Sequence, residues 1–168
     1  MKRGKAHVLK PFDDLNTDYI ISGRYKFKIS DMRQLAKYVF EDISPGFYKK
    51  IRKGDYVVAG ENFGCGSSRE QAPWAIKEAG ISAVLAKSFA RIFFRNAYNI
   101  GLCVVQCDTD KIDDGDTVEA DLEKNLVINH TKNLKIGTAS VPGLMRQFLR
   151  DGGVVQHFKK HGDFKIET

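Results

Sequence analysis

The sequence predicts a single α/β domain built on a mostly parallel sheet flanked by helices, and three observations carry that expectation. A strand, helix, strand, helix, strand succession runs through residues 56–105, the alternation that a parallel sheet with helices packed on it requires. A different texture follows, because two alternating segments within residues 117–129 are separated by a short polar turn and predict an additional β-hairpin. The 168 residues, 42% of them apolar, suffice for one core but not for two domains. The expected domain is therefore the whole of residues 1–168.

Taken in order, Lys5-Ala6-His7-Val8-Leu9 alternates as a strand should and is closed by Pro11 and a polar cluster through Asp18. Gly23 opens a basic loop, after which Ser30 or Asp31 caps a helix whose apolar face is Met32, Leu35, Ala36, Val39 and Phe40. Pro45-Gly46 ends that unit. Tyr56-Val57-Val58-Ala59 reads as a buried strand that runs into a glycine-rich loop over residues 60–69. A helix over 70–78 stops at Gly80, and Ala83-Val84-Leu85-Ala86 forms the next strand. Ser88 caps a helix through Asn96, and Leu102-Cys103-Val104-Val105 is a third buried strand. After the hairpin, a last helix over 142–149 ends at Gly152-Gly153. There is no internal repeat, low-complexity tract or linker.

Composition narrows the function classes. No apolar run approaches the roughly 18 residues that would span a bilayer, and residues 1–10 lack the apolar stretch and cleavage site of a secretory signal. A cytoplasmic location and no membrane partner are expected. Cys65, Cys103 and Cys107 are an odd, widely spaced set and should be reduced. Lys plus Arg number 27 against 21 Asp plus Glu, a net +6, so an anionic ligand must be considered. The charge is segregated: residues 24–53 hold nine basic and three acidic side chains, whereas 108–123 hold eight acidic ones against Lys111.

The strand–loop–helix setting of Gly64-Cys65-Gly66-Ser67-Ser68-Arg69 is the most informative feature. Glycines admit positive φ and let backbone N–H groups converge, and a following helix adds its positive dipole end, so the loop is suited to an anion. Two hydroxyls and a guanidinium fork suited to carboxylate or phosphate stand at its mouth. There is no Gly-Lys-Ser/Thr of a P-loop, no third glycine of a dinucleotide fingerprint, and no Gly-x-Ser-x-Gly elbow. Spacing alone leaves open a generic Gly/Ser turn with an exposed arginine.

Three stretches together resolve this. Asp14-Leu15-Asn16-Thr17-Asp18, then Glu61-Asn62-Phe63 through Ser67-Ser68-Arg69-Glu70-Gln71-Ala72, then Lys87-Ser88-Phe89-Ala90-Arg91-Ile92-Phe93-Phe94-Arg95-Asn96 resemble, in order, the small subunits of the aconitase-type isomerases, the 3-isopropylmalate dehydratases. The likeness implies the swivelling-domain fold of the aconitase C-terminus. It implies a hydro-lyase of leucine biosynthesis, active only with a large subunit. That partner would hold a (4Fe-4S) cluster while this chain binds no cofactor and no metal. It implies that Ser67 is the catalytic base, acting as an alkoxide, that Ser68 and Arg69 bind a substrate carboxylate, and that Asp18, with Thr17 beside it, lines the site. A carbon-bound proton needs a strong base, and a serine serves only if backbone donors and positive charge stabilise its oxyanion. For Asn16-Thr17-Asp18 an Asx or helix-capping turn remains the other reading.

The cysteines do not read as cluster ligands, since a four-iron cluster needs several closely spaced thiolates. Cys103 and Cys107 fit packing or strand-end roles. Cys65 is either a small loop residue or a point of oxidative sensitivity. His7, His130, His157 and His161 are expected at surface or strand positions, without metal-ligand spacing or a paired acidic residue.

By the same resemblance, Arg24-Tyr25-Lys26-Phe27-Lys28 reads the variable arm of the substrate. Members that bind a third carboxylate place an arginine in this loop, whereas isopropylmalate enzymes present an apolar residue; the deciding position here is Phe27. Alternation would point Phe27 inward and both lysines outward, although either lysine could swing in toward a carboxylate. Homoaconitase, or an isomerase accepting several malate derivatives, is the alternative within the enzyme class. An RNA-binding or regulatory module is the alternative outside it, favoured by the basic stretch and opposed by the lack of interleaved aromatics.

Overall fold

The computed structural model describes residues 1–67 and 70–164. Its seven strands are β1 (Gly4–Val8), β2 (Tyr56–Val58), β3 (Ala83–Ala86), β4 (Cys103–Gln106), β5 (Thr117–Asp121), β6 (Leu126–Asn129) and β7 (Leu134–Gly137). They form one sheet in the order β4-β3-β2-β1-β5-β6-β7. Strand β1 belongs to both halves: Ala6 to Val8 pair in parallel with Tyr56 to Val58, while Gly4 and Lys5 pair antiparallel with Val118 and Thr117. Four parallel strands are thus joined edge to edge with three antiparallel ones.

The two halves bury different patterns. Every residue of β2 and β3 is buried, whereas β5 and β6 alternate between buried and part-exposed positions. The reason lies in the covering layers. Val57, Val84 and Val104 face the helices, including α5 (Gln71–Glu78) and α6 (Arg91–Ile100). On the opposite face, Tyr56, Val58, Ala83, Leu85 and Val105 pack against Val118, Ala120, Val127 and Ile136, so the antiparallel half curls over the parallel half. Each fully buried aliphatic side chain here contributes roughly 1.5–3 kcal/mol. Tyr56 crosses that second core, its hydroxyl donating to Lys2 O at 2.8 Å and accepting from Ala120 N at 3.2 Å. No helix among the described residues is long and apolar enough to cross a membrane.

Several local expectations are corrected. The helix expected from Asp31 begins there, with the carboxylate accepting from Arg33 N. It remains α-helical only over α3 (Met32–Leu35), tightens to a 3₁₀ turn over Ala36–Tyr38, and ends at Val39. Residues 23–28 do not form an alternating extended loop; Gly23–Lys26 is a helical turn, α2, and Phe27 continues it in αR conformation. Ser88 does not cap α6. Its hydroxyl instead donates to Glu61 and accepts from Asn62 N, while Phe89 pairs in a parallel bridge with Phe63, so the chain stays extended to Ala90. The hairpin gains a third strand, β7, and α7 (Gly143–Asp151) is followed by a further helix, α8 (Val154–His161), after Gly152 and Gly153 reverse the chain.

Candidate active site

Loops leaving the carboxyl ends of β1, β2 and β3 meet at one end of the parallel half, where open α/β sheets place their ligand crevices. Backbone hydrogen bonds stitch them together: Gly60 N to Phe12 O at 2.7 Å, Asp14 N to Glu61 O at 2.9 Å, Gly64 N to Leu15 O at 2.8 Å and Thr17 N to Cys65 O at 2.9 Å. Phe63 N donates to Ser88 O at 3.0 Å, and Ala90 N returns a bond to Phe63 O at 2.9 Å. The three stretches that carry the family resemblance therefore form one unit.

Two glycines shape the loop that carries Ser67. Gly64 has φ +79°, and a Cβ there would lie 2.2 Å from Cγ of Phe93, so only glycine fits. Gly66, at φ +90°, turns the chain beside Asn16 and Thr17. Ser67 emerges exposed, with its carbonyl accepting from Thr17 Oγ1 at 3.1 Å. No hydrogen bond engages its hydroxyl among the described residues.

Ser67 and Thr17 line a cleft of about 280 Å³ whose opposite wall is the first turn of α6, Ala90 to Phe93, with Asn96. This volume sits just under the roughly 300–1,000 Å³ of complete ligand pockets. Ala90 caps α6 without a side-chain bond, so the positive end of a ten-residue helix and the exposed Arg91 face the cleft. Among the described residues, the helix end that lines the cleft is that of α6. Arg91 and Asn96 had no role in the sequence reading, although both stand in the third motif stretch.

The other expected site residues are placed as follows. Asp18 is exposed in the first turn of α1 (Thr17–Ile20), where Asn16 Oδ1 accepts from Asp18 N at 2.9 Å and Tyr19 N at 3.1 Å; the capping turn is real, and Asp18 does not line the cleft itself. Ser68 and Arg69 lie outside the described residues. None of Arg24, Tyr25, Lys26, Phe27 and Lys28 lines the cleft. Arg24 pairs with Asp42 and stacks on Tyr25, which stacks on Tyr38 at 4.3 Å. Phe27 is 84% exposed, an apolar ring presented to whatever lies opposite.

Cysteine chemistry is unfavourable for a cluster. Burial pushes the Cys103 and Cys107 thiols up to about 12, which keeps them protonated. Cys65 is half-buried, its thiol donating to Asp14 O at 3.4 Å, and burial together with the Asp14 carboxylate raises its pKa. That environment disfavours the thiolate. The residues of this chain do not fit an iron–sulfur cluster.

The histidines depart from expectation, because all four stand close to carboxylates. His7 lies 2.9 Å from Asp55 and His130 lies 3.0 Å from Glu119. His157, wholly buried, and His161 both converge on Asp151. Spacing hid these pairs because folding, not local sequence, brings the partners together.

The fold and the stitched glycine–serine loop define a swivelling domain of aconitase type, and comparison with known proteins agrees. The family model described as the aconitase C-terminal domain matches residues 27–110. A 3-isopropylmalate dehydratase small subunit 2 of Archaeoglobus fulgidus is 57% identical over 154 residues, covering 92% of this chain and 93% of the relative. The methanogen homoaconitase small subunit of Methanocaldococcus jannaschii is 51% identical, covering 94% and 91%. A crystal structure of 3-isopropylmalate dehydratase from Methanocaldococcus jannaschii superposes with a TM-score of 0.89 at 49% identity, covering 95% and 94% of the two chains. The chain belongs to the aconitase C-terminal domain family, among its dehydratase small subunits.

Proposed function

We propose that this chain is the small subunit of a hydro-lyase that interconverts 2-isopropylmalate and 3-isopropylmalate, and that it works only with a large subunit. The observation that carries the reading is Ser67, an exposed hydroxyl on a glycine-set loop facing the amino end of α6 across a small cleft. In the forward direction the Ser67 oxyanion takes the proton from the carbon next to the carbinol as the carbinol hydroxyl leaves. Placing a proton on the former carbinol carbon and a hydroxyl on the carbon that was deprotonated gives the isomer. Backbone dipoles at the amino end of α6 and the Arg91 guanidinium supply the positive field that such an oxyanion needs. Ser68 and Arg69 hold a substrate carboxylate, and Thr17 fixes the loop through the Ser67 carbonyl. Asp18 is assigned a place at the mouth of the site by the family resemblance. The (4Fe-4S) cluster that the family resemblance calls for belongs to the large subunit, and the closed site forms when the two chains meet.

The substrate's variable arm is read by Phe27. An exposed phenyl ring favours an isopropyl group and would leave a buried carboxylate unpaired. A second reading, homoaconitase, is favoured by the 51% identity to the methanogen protein and by Lys26 and Lys28 on either side of the ring. Reconstituting the chain anaerobically with candidate large subunits, and comparing turnover of isopropylmalate with that of homocitrate, separates the two. In the same complex Phe27→Arg should shift the preference toward the tricarboxylate by about 100-fold, on the order of 3 kcal/mol. An unchanged preference would remove Phe27 from the specificity role.

A further inference from the structure

Asp151 closes α7, and the Gly152-Gly153 turn folds α8 back so that His157 and His161, one helical turn apart, face its carboxylate. His157 Nδ1 stands 2.7 Å and His161 Nε2 3.1 Å from the same oxygen, Asp151 Oδ2. One ligand atom from each of the three residues lies within 4.8 Å of the others. We propose that these three side chains form a binding site for one divalent transition-metal ion of the Zn²⁺ class, with a fourth position for water.

The spacing supports this. Tetrahedral bonds of about 2.0–2.2 Å put neighbouring ligand atoms roughly 3.3–3.6 Å apart. The His161 contact at 3.1 Å is thus already near a ligand edge, while the His157 contact at 2.7 Å must open by roughly half an ångström or more, and the two nitrogens draw in from within 4.8 Å. Two imidazoles with one carboxylate suit Zn²⁺ rather than Mg²⁺ or Ca²⁺, which prefer oxygen. An outer layer is in place: Gln147 Nε2 donates to Oδ2 at 3.2 Å, and Lys160 Nζ donates to the other oxygen at 3.0 Å. Such bonds fix the orientation of a ligating carboxylate. Lys160 is 59% exposed and sits on Oδ1, so its charge can turn to solvent when a cation binds at Oδ2.

Among the described residues the buried His157 Nε2 has no hydrogen-bond partner, so the ring makes its polar contact through Nδ1, the atom that faces Asp151. The ion would clasp α7 to α8, and α8 packs against α6.

The test uses the full chain carrying Cys65→Ser, which removes the half-buried loop thiol, stripped with a chelator and titrated with Zn²⁺ by calorimetry and with Co²⁺ by visible absorption. The expected result is one ion per chain, tetrahedral Co²⁺ bands and a rise in Tm of about 5 °C at saturating Zn²⁺. His161→Gln should weaken binding about 100-fold, and Asp151→Asn likewise, whereas His130→Gln should not change it. His161 is partly exposed and its replacement keeps the helix, so that variant decides even where Asp151→Asn fails to fold. Binding no tighter than about 100 μM, or tight binding unaffected by His161→Gln, would overturn the proposal and leave a hydrogen-bonded hub.

Discussion

The parallel and antiparallel halves of the sheet differ in where their side-chain polar networks lie relative to the cleft: around the cleft, ties such as Ser88 to Glu61 and Asn62 to Asp14 supplement main-chain bonds. At the carboxyl ends of β1, β2 and β3, backbone hydrogen bonds hold the loops together, and the Ser67 side chain is left facing a cleft. In the antiparallel half the side chains engage one another. Asp116 accepts from Asn129 Nδ2 at 2.6 Å and Asp113 N at 2.9 Å and lies 3.7 Å from Lys132, while Glu119 meets His130 at 3.0 Å and Arg3 at 3.5 Å. The contrast teaches where chemistry can reside. A loop secured by main-chain bonds and a few side-chain ties can present Ser67 without using its hydroxyl for support, whereas in the antiparallel half the charged side chains are spent on one another.

The sharpest separation of the two roles is Ser67→Ala. In the complex with the large subunit it should lower kcat about 1,000-fold, roughly 4 kcal/mol of barrier, while thermal denaturation of the isolated chain moves by less than about 2 °C. A comparable loss of stability would mean that Ser67 is structural. Gly64→Ala should act through the fold instead, since the new methyl meets the Phe93 ring at 2.2 Å and φ is +79°. A destabilisation of about 3 kcal/mol is expected, measured by urea unfolding, and a silent substitution would show that the loop is more plastic than its contacts imply.

Asp116→Asn tests the other half with a smaller effect. Burial alone would raise the pKa of Asp116, but the Asp113 N–H, the Asn129 amide and Lys132 outweigh it and hold the carboxyl below its usual range. A folded-state pKa below the unfolded one, which is about 4, gives stability that is present above that value and lost as pH falls through the lower folded pKa. The asparagine variant should therefore be about 2 kcal/mol less stable at pH 7, with the gap narrowing below about pH 4 and turnover per folded molecule unchanged. A gap independent of pH would contradict a role for the charge.

How much of this was legible in the sequence depends on whether the signal was local. β3 falls on residues 83–86, and the Ser67 loop stands where the glycines placed it, because unbroken apolar runs and Gly-x-Gly report directly on burial and backbone conformation. The start of α6 was misread because Ser88, a good cap in isolation, is engaged by Glu61 and Asn62 from another loop. β7 was missed because only Ile136 of its four residues is buried, too little for a periodic signal. Gly152-Gly153 looked like the end of a helix and is also a turn into α8, which hid the convergence of His157 and His161 on Asp151. The cleft wall at Arg91 to Phe93 could not be read from spacing, since it is formed by contact between loops that are distant in sequence.

The most direct test of the account is exchange of the substrate's carbon-bound proton with solvent deuterium in the assembled enzyme, followed by NMR for the unaltered chain and for Ser67→Ala. If Ser67 removes that proton, exchange and isomerisation should fall together by about 1,000-fold while substrate still binds. Exchange that continues at the unaltered rate in the alanine variant would show that another group is the base.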